Sequence, residues 1–432
     1  MKGRELHFIA IGGAGMSALA LVCDQLGAKV SGSDRAESSY LRRLRERGID
    51  AVVGHDAAQV PPGAEVVIST AITEANPELA RAHERGQRVL HRGELLAELC
   101  SMRRLIAVSG THGKTTTAGM LVHAMQAIGA QPAFFLGGDL PGAGGEINNA
   151  GWGDGEWVIA EADESDGSFL ELEPEISVIT NVELDHHSRW ASRAQLLDAF
   201  ERFASAASSA AVLDEYELDR LHGAQRTLRF GADAPGPPTI ELAVPGAHNI
   251  LNARAALAAL ELAGFELGPA AQALGSFPGI RRRQERKGVH EASGAVIYDD
   301  YAHHPTEVAA TLSALAELEP QRLIAVFQPH LYSRTKALAE RFGAALAVAD
   351  EVGVLDVYAA REEPVGELEG VSGLDVARAA ADRGGGRPVW WLRDAASARR
   401  ALEPRLRDGD LLVTIGAGDV YELGDALVAG DG

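Results

Sequence analysis

Short apolar runs alternate with helical patterns along the whole chain of 432 residues. The first apolar run covers residues 6–11, and a glycine-containing turn at 12–15 separates it from a helical pattern over 16–26. A run of this length bounded by glycine predicts a buried strand, and apolar residues three or four apart predict a helix. Strand, helix and strand in this order predict a βαβ unit. We therefore predict an α/β protein.

The alternation begins again twice, with the apolar strands "LIAVSG" at 105–110 and "AVIYDDYA" at 295–302. Single hydrophobic cores stop growing at roughly 250–300 residues, so a chain of this length is expected to form several domains. Each new start of the pattern marks one further domain. We predict three domains, each built on a mainly parallel sheet, at 1–102, 103–283 and 284–432.

Two segments of the central region carry finer expectations. The alanine-rich stretch at 249–263 has small side chains at helical spacing, which predicts a helix packed closely on a sheet. The loop "GADAPGPP" at 231–238 is expected to lead into further short strands.

Composition and charge exclude several classes of function. The chain has 46% hydrophobic and 23% charged residues, as expected for a globular protein. No apolar run approaches the ~18 residues needed to cross a bilayer, and the N-terminus lacks the pattern of a signal peptide. The two cysteines, Cys23 and Cys100, are expected to be small buried side chains. A net charge of −21 opposes binding to nucleic acids and anionic membranes. We predict a cytoplasmic protein without a nucleic-acid partner or membrane insertion.

The stretch "LIAVSGTHGKTTTAGML", residues 105–121, is typical of a phosphate-binding loop. It combines an apolar strand, a glycine-bounded loop, Lys114 with Thr115, and a helix in the order that such loops require. Backbone N–H groups and the helix N-terminus hold phosphate oxygens in these loops, and the hydroxyl can ligate magnesium. The loop is shorter than in most nucleotide-hydrolysing enzymes, because Gly110 and Gly113 are only three residues apart.

Acidic and histidine side chains follow the next two predicted strands. The first strand ends in Glu161, Asp163, Glu164 and Asp166, and the second is followed by Asp185, His186 and His187. A solvated turn would explain either group by itself. The carboxyl ends of parallel strands share one edge of a sheet, however, and carboxylates are ligands that magnesium prefers. We therefore predict a magnesium–nucleotide site at this edge.

The N-terminal stretch "FIAIGGAGMSALA", residues 8–20, resembles a dinucleotide-binding turn. Gly12, Gly13 and Gly15 would present backbone N–H groups to a diphosphate, and Asp34 stands about 20 residues downstream, where a ribose-binding acid is found in such domains. This pattern leaves two interpretations open. The ligand is either the cofactor of an oxidoreductase or another diphosphate.

Four further motifs are rich in polar groups. "PGAHNILNARAAL" places Asn249 and Asn252 on one helix face, although capping would equally explain Asn249. "GIRRRQERKG" supplies Arg281, Arg282 and Arg283, one of which is expected to reach a phosphate. "YDDYAHHPTE" and "FQPHLYSRT" follow strands of the third predicted domain, and their density of polar groups predicts a substrate site.

Taken in order, "IGGAGMS", "GTHGKTTT", "EADESD", "DHH", "HNILNA", "RRRQE", "DDYAHHPTE" and "FQPHLYSRT" resemble the motifs of the Mur ligases over essentially the entire chain. The resemblance implies a Rossmann-like N-terminal domain for a UDP group, a P-loop-like central ATPase domain and a Rossmann-like C-terminal domain that admits an amino acid. It implies ATP-dependent joining of L-alanine to UDP-N-acetylmuramate with Mg²⁺, by a monomer or weak homodimer.

The resemblance also assigns roles by position. The implied catalytic residues are Lys114, His186 and Arg283, and the implied magnesium ligands are Thr115, Glu161 and His186. The implied ATP-binding residues are Gly110, Thr111, His112, Gly113, Lys114, Thr115, Thr116, Asn249, Asn252 and Asp300, with His248 as a further candidate. The implied UDP-sugar-binding residues are Gly12, Gly13, Ala14, Gly15, Met16, Ser17, Asp34, Ser69 and Thr70. The implied amino-acid-binding residues are His303, His304 and Arg334.

Three positions depart from the family pattern. Ala10 replaces the glycine usual at the start of the N-terminal motif, and we expect it only to reduce backbone freedom. Leu331 stands where many relatives have arginine, so the alanine carboxylate is expected to depend more on Arg334. Related ligases often hold magnesium with a carbamylated lysine, but this chain has no lysine between Lys114 and Lys287.

Three alternatives compete with this prediction. An NAD-dependent oxidoreductase would explain the opening turn but leaves Lys114, Glu161 and His186 without a role. A sibling ligase that adds a preformed tripeptide, or a folate-type polyglutamate ligase, would share the acidic and histidine motifs. A non-catalytic protein that binds a UDP-muramyl ligand would not need the phosphate-binding loop.

Overall fold

The computed structural model describes residues 1–142, 147–184, 190–232, 240–360 and 362–429. These residues form sheets of five, seven and six strands. The chain divides into two compact units, Met1–Leu242 with Ile250–Pro278 and Ala243–Asn249 with Gly279–Gly432. The first unit contains the first two sheets and the second unit contains the third. The predicted α/β class is confirmed, whereas the boundaries at 102/103 and 283/284 stay predictions.

The first sheet contains the glycine-rich N-terminal turn. Its strands are β1 (Glu5–Ile9), β2 (Lys29–Asp34), β3 (Asp50–Val53), β4 (Glu65–Ile68) and β5 (Val89–His91), and its helices are α1 (Ala14–Gln25), α2 (Ser39–Glu46), α3 (Pro77–Glu84) and α4 (Arg92–Cys100). The strands are parallel in the order β3-β2-β1-β4-β5. The strand order reverses at β1 and β4, so a ligand crevice is expected beyond their carboxyl ends.

The second sheet contains the phosphate-binding loop. Its strands are β6 (Arg104–Ser109), β7 (Ala133–Pro141), β8 (Ile147–Trp152), β9 (Trp157–Glu161), β10 (Ile176–Ile179), β11 (Ser209–Leu213) and β12 (Arg226–Phe230), and the helices of this region are α5 (Lys114–Ala127), α6 (Arg193–Ala206), α7 (Ala247–Leu262) and α8 (Leu267–Leu274). β6 lies between β10 and β9, parallel to both, and among the described strands of this sheet only β7 and β8 pair antiparallel. The loops after β6, β9 and β10 therefore share one edge.

The third sheet forms the core of the second unit. Its strands are β13 (Glu285–Val289), β14 (Val296–Asp300), β15 (Arg322–Phe327), β16 (Glu351–Val354), β17 (Val389–Trp391) and β18 (Asp410–Ile415), and its helices are α9 (Pro305–Ala316), α10 (Tyr332–Leu346), α11 (Gly373–Arg383), α12 (Ala395–Leu402) and α13 (Tyr421–Ala429). The order is β13-β14-β18-β15-β16-β17, and among the described strands of this sheet only the edge strand β13 pairs antiparallel. The loops after β14, β18 and β15 follow three neighbouring parallel strands.

Two expectations have different outcomes. The alanine-rich helix is confirmed as α7, which the sequence pattern placed within two residues of its observed bounds. The prediction of further strands after the loop at 231–238 is wrong for the described residues 240–246. These residues contain no strand and lead directly into α7. Among the described residues, no helix combines the length and apolarity needed to span a membrane.

Candidate functional site

The phosphate-binding loop is held against the end of strand β10. Gly110 and Gly113 have φ of 137° and 80°, a region that favours glycine. Thr180 Oγ1 and Asn181 Nδ2 donate to the carbonyl oxygen of His112 over 2.5 and 2.9 Å, and His112 N–H donates to Asn181 Oδ1 over 2.9 Å. These contacts fix the loop before the first turn of α5.

Lys114, the first residue of α5, folds back over this loop. Its Nζ donates to the carbonyl oxygen of Gly110 over 2.6 Å and to Glu164 Oε2 over 2.8 Å. Burial lowers the pKa of Lys114, but the charges of neighbouring carboxylates outweigh it and raise the pKa, so the side chain stays an ammonium. Burial raises the pKa of Glu164 to about 7, although the charge of Lys114 opposes this.

Thr115 and Glu161 form an oxygen cluster at the N-terminus of α5. Thr115 Oγ1 donates to Glu161 Oε1 over 3.0 Å, and Glu161 Oε2 accepts from Gly137 N–H over 2.7 Å. A hydroxyl and a carboxylate are hard oxygen donors of the kind that Mg²⁺ takes beside nucleotide phosphates, so these residues fit the predicted magnesium site. The other predicted ligand, His186, lies outside the described residues, as do Asp185 and His187.

The remaining acidic residues after β9 serve a different partner. Arg92 Nη2 lies 3.1 Å from Asp163 Oδ2 and 2.7 Å from Asp166 Oδ2. Burial raises the pKa of Asp163, but Lys114, Ser165 and Arg92 lower it to about 2. The four carboxylates are thus divided between magnesium-type ligation, Lys114 and Arg92. Sequence reasoning missed Arg92, because its partners are more than 70 positions away in the chain.

Asn252 lies behind the phosphate-binding loop within the first unit. Its Oδ1 accepts from Thr117 Oγ1 over 3.3 Å, and a Cβ on Gly113 would collide with it. Thr111 Oγ1 donates to the carbonyl oxygen of Glu183 over 2.8 Å, and Thr116 is half-buried in the first turn of α5. The loop and Asn252 are therefore brought together.

Asn249 and His248 contact Gln284 within the second unit. Asn249 Nδ2 donates to Gln284 Oε1 over 3.0 Å and to the carbonyl oxygen of Pro245 over 2.7 Å. The ring of His248 lies 3.3 Å from Gln284 Nε2, and burial lowers its pKa to about 4. Asp300 accepts from Gln284 N–H over 2.8 Å, and burial raises the pKa of Asp300 to about 6. Gln284, which sequence reasoning did not name, connects three of these groups.

The arginine run contains residues with separate tasks. Arg282 lies 3.3 Å from Asp299, donates to the carbonyl oxygens of Gly416 and Gly418, and has a φ of 59°. Arg283 Nη1 lies 3.6 Å from Glu307 Oε1. Arg281 pairs only loosely, 3.4 Å from Glu285. Arg282 therefore fastens the loop after β18, which leaves Arg283 as the arginine predicted to reach phosphate.

The predicted amino-acid-binding residues lie among stacked rings. His303 is edge-on to Tyr301 and to His330, and His330 stacks on Tyr358 at 5.9 Å. Burial lowers the pKa of His303 to about 3. Arg334 Nη1 lies 3.3 Å from His330 Nδ1. Tyr358 was missed, since it lies in a loop that no motif marks.

His304 and Leu331 begin helices. His304, which is 2% exposed, accepts from Thr306 N–H in the cap of α9, with Glu307 completing a capping box. Leu331 precedes α10 with φ of 69°, and its carbonyl oxygen accepts from Thr335. The helix cap accounts for a histidine at position 304. A contact between His304 and the amino acid stays a prediction.

The N-terminal turn is fastened to the end of β2. Gly12 N–H donates to Asp34 Oδ2 over 2.9 Å, and Ser38 Oγ donates to the carbonyl oxygen of Gly12 over 2.9 Å. Ala10 has φ of 69°, a backbone conformation that its methyl group strains. The sequence analysis expected alanine only to reduce backbone freedom here, and the strain is an additional effect. Asp34 thus holds the turn in place, whereas the sequence analysis predicted only a contact between Asp34 and the ligand.

The other predicted UDP-sugar residues lie near this turn. Gly13 caps α1, in which Ser17 Oγ donates to the carbonyl oxygen of Ala14. Gly15 lies beside Arg92, and Met16 is buried. Ser69 is half-buried and Thr70 exposed after β4, the neighbour of β1. Their contact with a UDP-sugar stays a prediction.

Comparison with known protein families gives one matching domain for each of the three sheets. Residues 5–104 match the catalytic domain of the Mur ligase family, 108–235 the Mur ligase middle domain and 282–418 the Mur ligase glutamate ligase domain. A relative from Mycolicibacterium vanbaalenii, named UDP-N-acetylmuramate–L-alanine ligase, is 42% identical over 99% of this chain and 96% of its own. The chain belongs to the Mur ligase family.

Other Mur ligases agree with this assignment. A relative of the same name from Kineococcus radiotolerans is 44% identical over 98% of this chain and 95% of its own. The crystal structure of the UDP-N-acetylmuramate–alanine ligase from Thermotoga maritima superposes with a TM-score of 0.85, at 27% identity and 98% coverage of both chains. Membership of the Mur ligase family excludes the oxidoreductase alternative.

Proposed function

We propose that this Mur ligase joins L-alanine to the lactyl carboxylate of UDP-N-acetylmuramate, with cleavage of ATP to ADP and phosphate, in peptidoglycan precursor synthesis. The observation that carries the proposal is the match, over 98% or more of the chain, to relatives named for this reaction at 42–44% identity. The cluster of Lys114, Thr115 and Glu161 at one sheet edge supports it independently.

The chemistry accounts for the need for ATP. A carboxylate is a poor acylating agent, so its oxygen first attacks the γ-phosphorus, which forms an acyl phosphate and releases ADP. The alanine amine then attacks the acyl carbon, and the tetrahedral intermediate expels phosphate to leave an amide. Amide formation is thereby coupled to nucleotide cleavage.

Residues of the first unit would bind the nucleotide phosphates. The N–H groups of the loop at 110–116 and the N-terminus of α5 offer donors to phosphate oxygens. The Lys114 ammonium would neutralise the β- and γ-phosphates, since neighbouring carboxylates keep it charged. Thr115 and Glu161 would hold a magnesium ion, which when bound supplies positive charge to phosphate oxygens.

Residues of the second unit would serve the transferred group and the amino acid. Arg283 offers the planar set of donors that suits a phosphoryl group. His303, neutral because burial lowers its pKa to about 3, offers a ring nitrogen as acceptor to the alanine ammonium. Arg334 would bind the alanine carboxylate, and Asn249 and Asp300 would contact the nucleotide.

Phosphate release from ATP tests the proposal. We expect release only when UDP-N-acetylmuramate and L-alanine are both present. Serine, glycine and a preformed tripeptide are tested as alternative acceptors. UDP-N-acetylglucosamine, which lacks the lactyl group, is the matched control. Release with the tripeptide alone would assign the chain to a sibling activity. No release with alanine, serine or glycine would contradict the proposal.

The proposal includes a cytoplasmic enzyme that acts as a monomer or weak homodimer. Sedimentation at several protein concentrations tests the second part. A single stable species larger than a dimer at all concentrations would contradict it.

A further inference from the structure

Arg92 lies between the N-terminal turn and the acidic loop that follows β9. It is the first residue of α4, and its Nη2 pairs with Asp163 and Asp166 in the acidic loop after β9. Its Nη1 faces the N-terminal turn, because a Cβ on Gly15 would lie 3.2 Å from that atom. One guanidinium therefore contacts the acidic loop and adjoins the proposed diphosphate-binding turn.

The acidic segment also contacts the first two residues of α5. Glu161 and Glu164, from the same short segment, hold Thr115 and Lys114. Asp163 is bonded directly to Glu164 in the chain, so the position of one carboxylate constrains the other. Arg92 therefore holds the segment that positions Glu161, the proposed magnesium ligand, and Glu164, the partner of the Lys114 ammonium.

The surroundings leave this loop little freedom. Asp163 Oδ1 accepts from Ser165 N–H over 3.0 Å, and Asp166 Oδ1 accepts from Ser168 N–H over 2.9 Å. Gly93, next to Arg92, packs so closely on the following turn that a Cβ would meet Ser168 Cβ at 3.0 Å. The start of α4 and the acidic loop are therefore packed closely against each other.

We infer that Arg92 is a positioning residue that couples UDP-sugar binding at the N-terminal turn to ATP binding at the phosphate-binding loop. A guanidinium has five N–H donors, so a diphosphate beside Gly15 can engage Nη1 without removing Nη2 from Asp163 and Asp166. The bound diphosphate would hold Arg92, and through it the acidic loop, in the arrangement that places Glu164 and Glu161 at the ATP site. The UDP-sugar would thereby tighten ATP binding. This inference rests on the proposed function, because it takes the diphosphate to be that of a UDP-sugar.

The test measures the dissociation constant of a non-hydrolysable ATP analogue with Mg²⁺, with and without saturating UDP-N-acetylmuramate, in the full-length protein. Coupled sites typically change each other's affinity by about 5-fold or more, so we expect the wild-type constant to fall by at least that factor. In Arg92→Gln the ratio of the two constants should approach 1. Arg92→Lys should give an intermediate ratio, because lysine keeps the charge but lacks the planar fork.

Arg43→Gln is the matched control. Arg43 Nη2 pairs with Asp139 at 2.8 Å, also between an N-terminal helix and the second sheet, and Asp139 belongs to β7 rather than to the acidic loop. Its ratio should equal that of the wild type. If Arg92→Gln fails to fold, Asp166→Asn removes the shorter of the two ion pairs and should lower the ratio in the same way.

The outcomes separate the inference from the proposed function. Three results would overturn the role of Arg92 while UDP-sugar binding remains. The first is a folded Arg92→Gln or Asp166→Asn whose ratio of dissociation constants equals that of the wild type. The others are an equal loss of the ratio in Arg43→Gln, or a ratio of 1 in the wild-type protein itself. Failure of the wild type to bind UDP-N-acetylmuramate would overturn the proposed function and the inference with it.

Discussion

The N-terminal turn and the phosphate-binding loop both connect a strand to a helix but differ in backbone conformation and chemistry. Gly13 before α1 is extended with φ of −78°, whereas Gly113 before α5 is left-handed with φ of 80°. Each follows a buried central strand, contains glycine and leads into the N-terminus of a helix. The phosphate-binding loop adds Lys114 and Thr115 in the first turn of its helix, whereas α1 begins with Ala14 and Gly15. Both loops are proposed to receive phosphate oxygens. Of the two helices only α5 begins with a cation and a hydroxyl, the groups proposed to act on the transferred phosphoryl group.

The two loops also differ in how they are fixed. Thr180 and Asn181, from the neighbouring strand, fasten the phosphate-binding loop through neutral hydrogen bonds. The N-terminal turn depends on the carboxylate of Asp34 and on Ser33, whose carbonyl oxygen accepts from Ala10 N–H. A buried ion below Ser33, Glu78, supports that strand end. The comparison predicts that charge matters to catalysis in one loop and to stability in the other.

The largest expected effect follows Lys114→Ala. Loss of a preorganised charge at a phosphoryl-transfer site commonly costs about 100-fold or more in kcat, so phosphate release should fall at least that far. Binding of UDP-N-acetylmuramate to the N-terminal turn should survive, as calorimetry would measure. Lys287→Ala, which removes a cation paired with Asp425 in the second unit, is the control and should retain most activity. Equal loss of turnover and UDP-sugar binding in Lys114→Ala would contradict the division between the loops.

Glu161→Gln should alter the magnesium requirement. The amide is a weaker ligand than the carboxylate, and loss of a well-placed group at a metal site costs roughly 10- to 100-fold in metal affinity. A magnesium titration of phosphate release should therefore shift to higher concentration, with partial recovery of rate at saturation. The exposed Glu173→Gln is the control in the same segment. An unchanged titration in Glu161→Gln would remove this residue from the proposed metal site.

Glu78→Gln tests the anchor of the N-terminal turn. Glu78 is 0% exposed and accepts from Ser33 Oγ over 2.7 Å and from Asp56 N–H over 3.1 Å. Burial raises its pKa, but hydrogen bonds and the charge of His7 outweigh it and lower the pKa. A lowered folded-state pKa stabilises the fold above the unfolded value of about 4.3, and this stabilisation is lost as pH falls through the folded value.

The expected loss for Glu78→Gln at pH 7 is about 1–3 kcal/mol of unfolding free energy, because the amide keeps only one acceptor oxygen and the partners of the other carboxylate oxygen lose theirs. The difference from wild type should shrink as pH falls below about 4. Urea denaturation at pH 7 and at a pH below about 4 measures both. A difference that grows on acidification would show that the carboxylate does not act as an anchor.

The sequence predicted the elements whose signal is local. β6, Gly113 and Lys114 follow one another in the chain, so apolar run, turn and helix could be located together, and the three α/β regions could be recognised in the same way. The alanine-rich α7 was equally visible. Such features depend on periodicity and on spacing of a few residues, which a sequence shows directly.

Side-chain partnerships across long separations could not be predicted. Arg92 meets Asp163 at a separation of 71 residues, and Ser33 meets Glu78 at 45. Neither spacing has a periodic signal, because the pairs form only when separate strand ends share an edge. His304 shows the converse: its motif suggested a ligand contact, whereas the adjacent Pro305 and Glu307 indicate a helix cap.

The smallest expected effect comes from Ala10→Gly in the N-terminal turn. Ala10 has φ of 69°, where a methyl group costs roughly 1–2 kcal/mol. Glycine removes that strain but adds about 0.4–1 kcal/mol of unfolded-state entropy, so we expect a net gain of about 0.5–1 kcal/mol in unfolding free energy. Ala18→Gly, in the interior of α1, is the matched control and should instead lose about 1 kcal/mol. A loss in both variants by urea denaturation would mean that the turn tolerates alanine without strain.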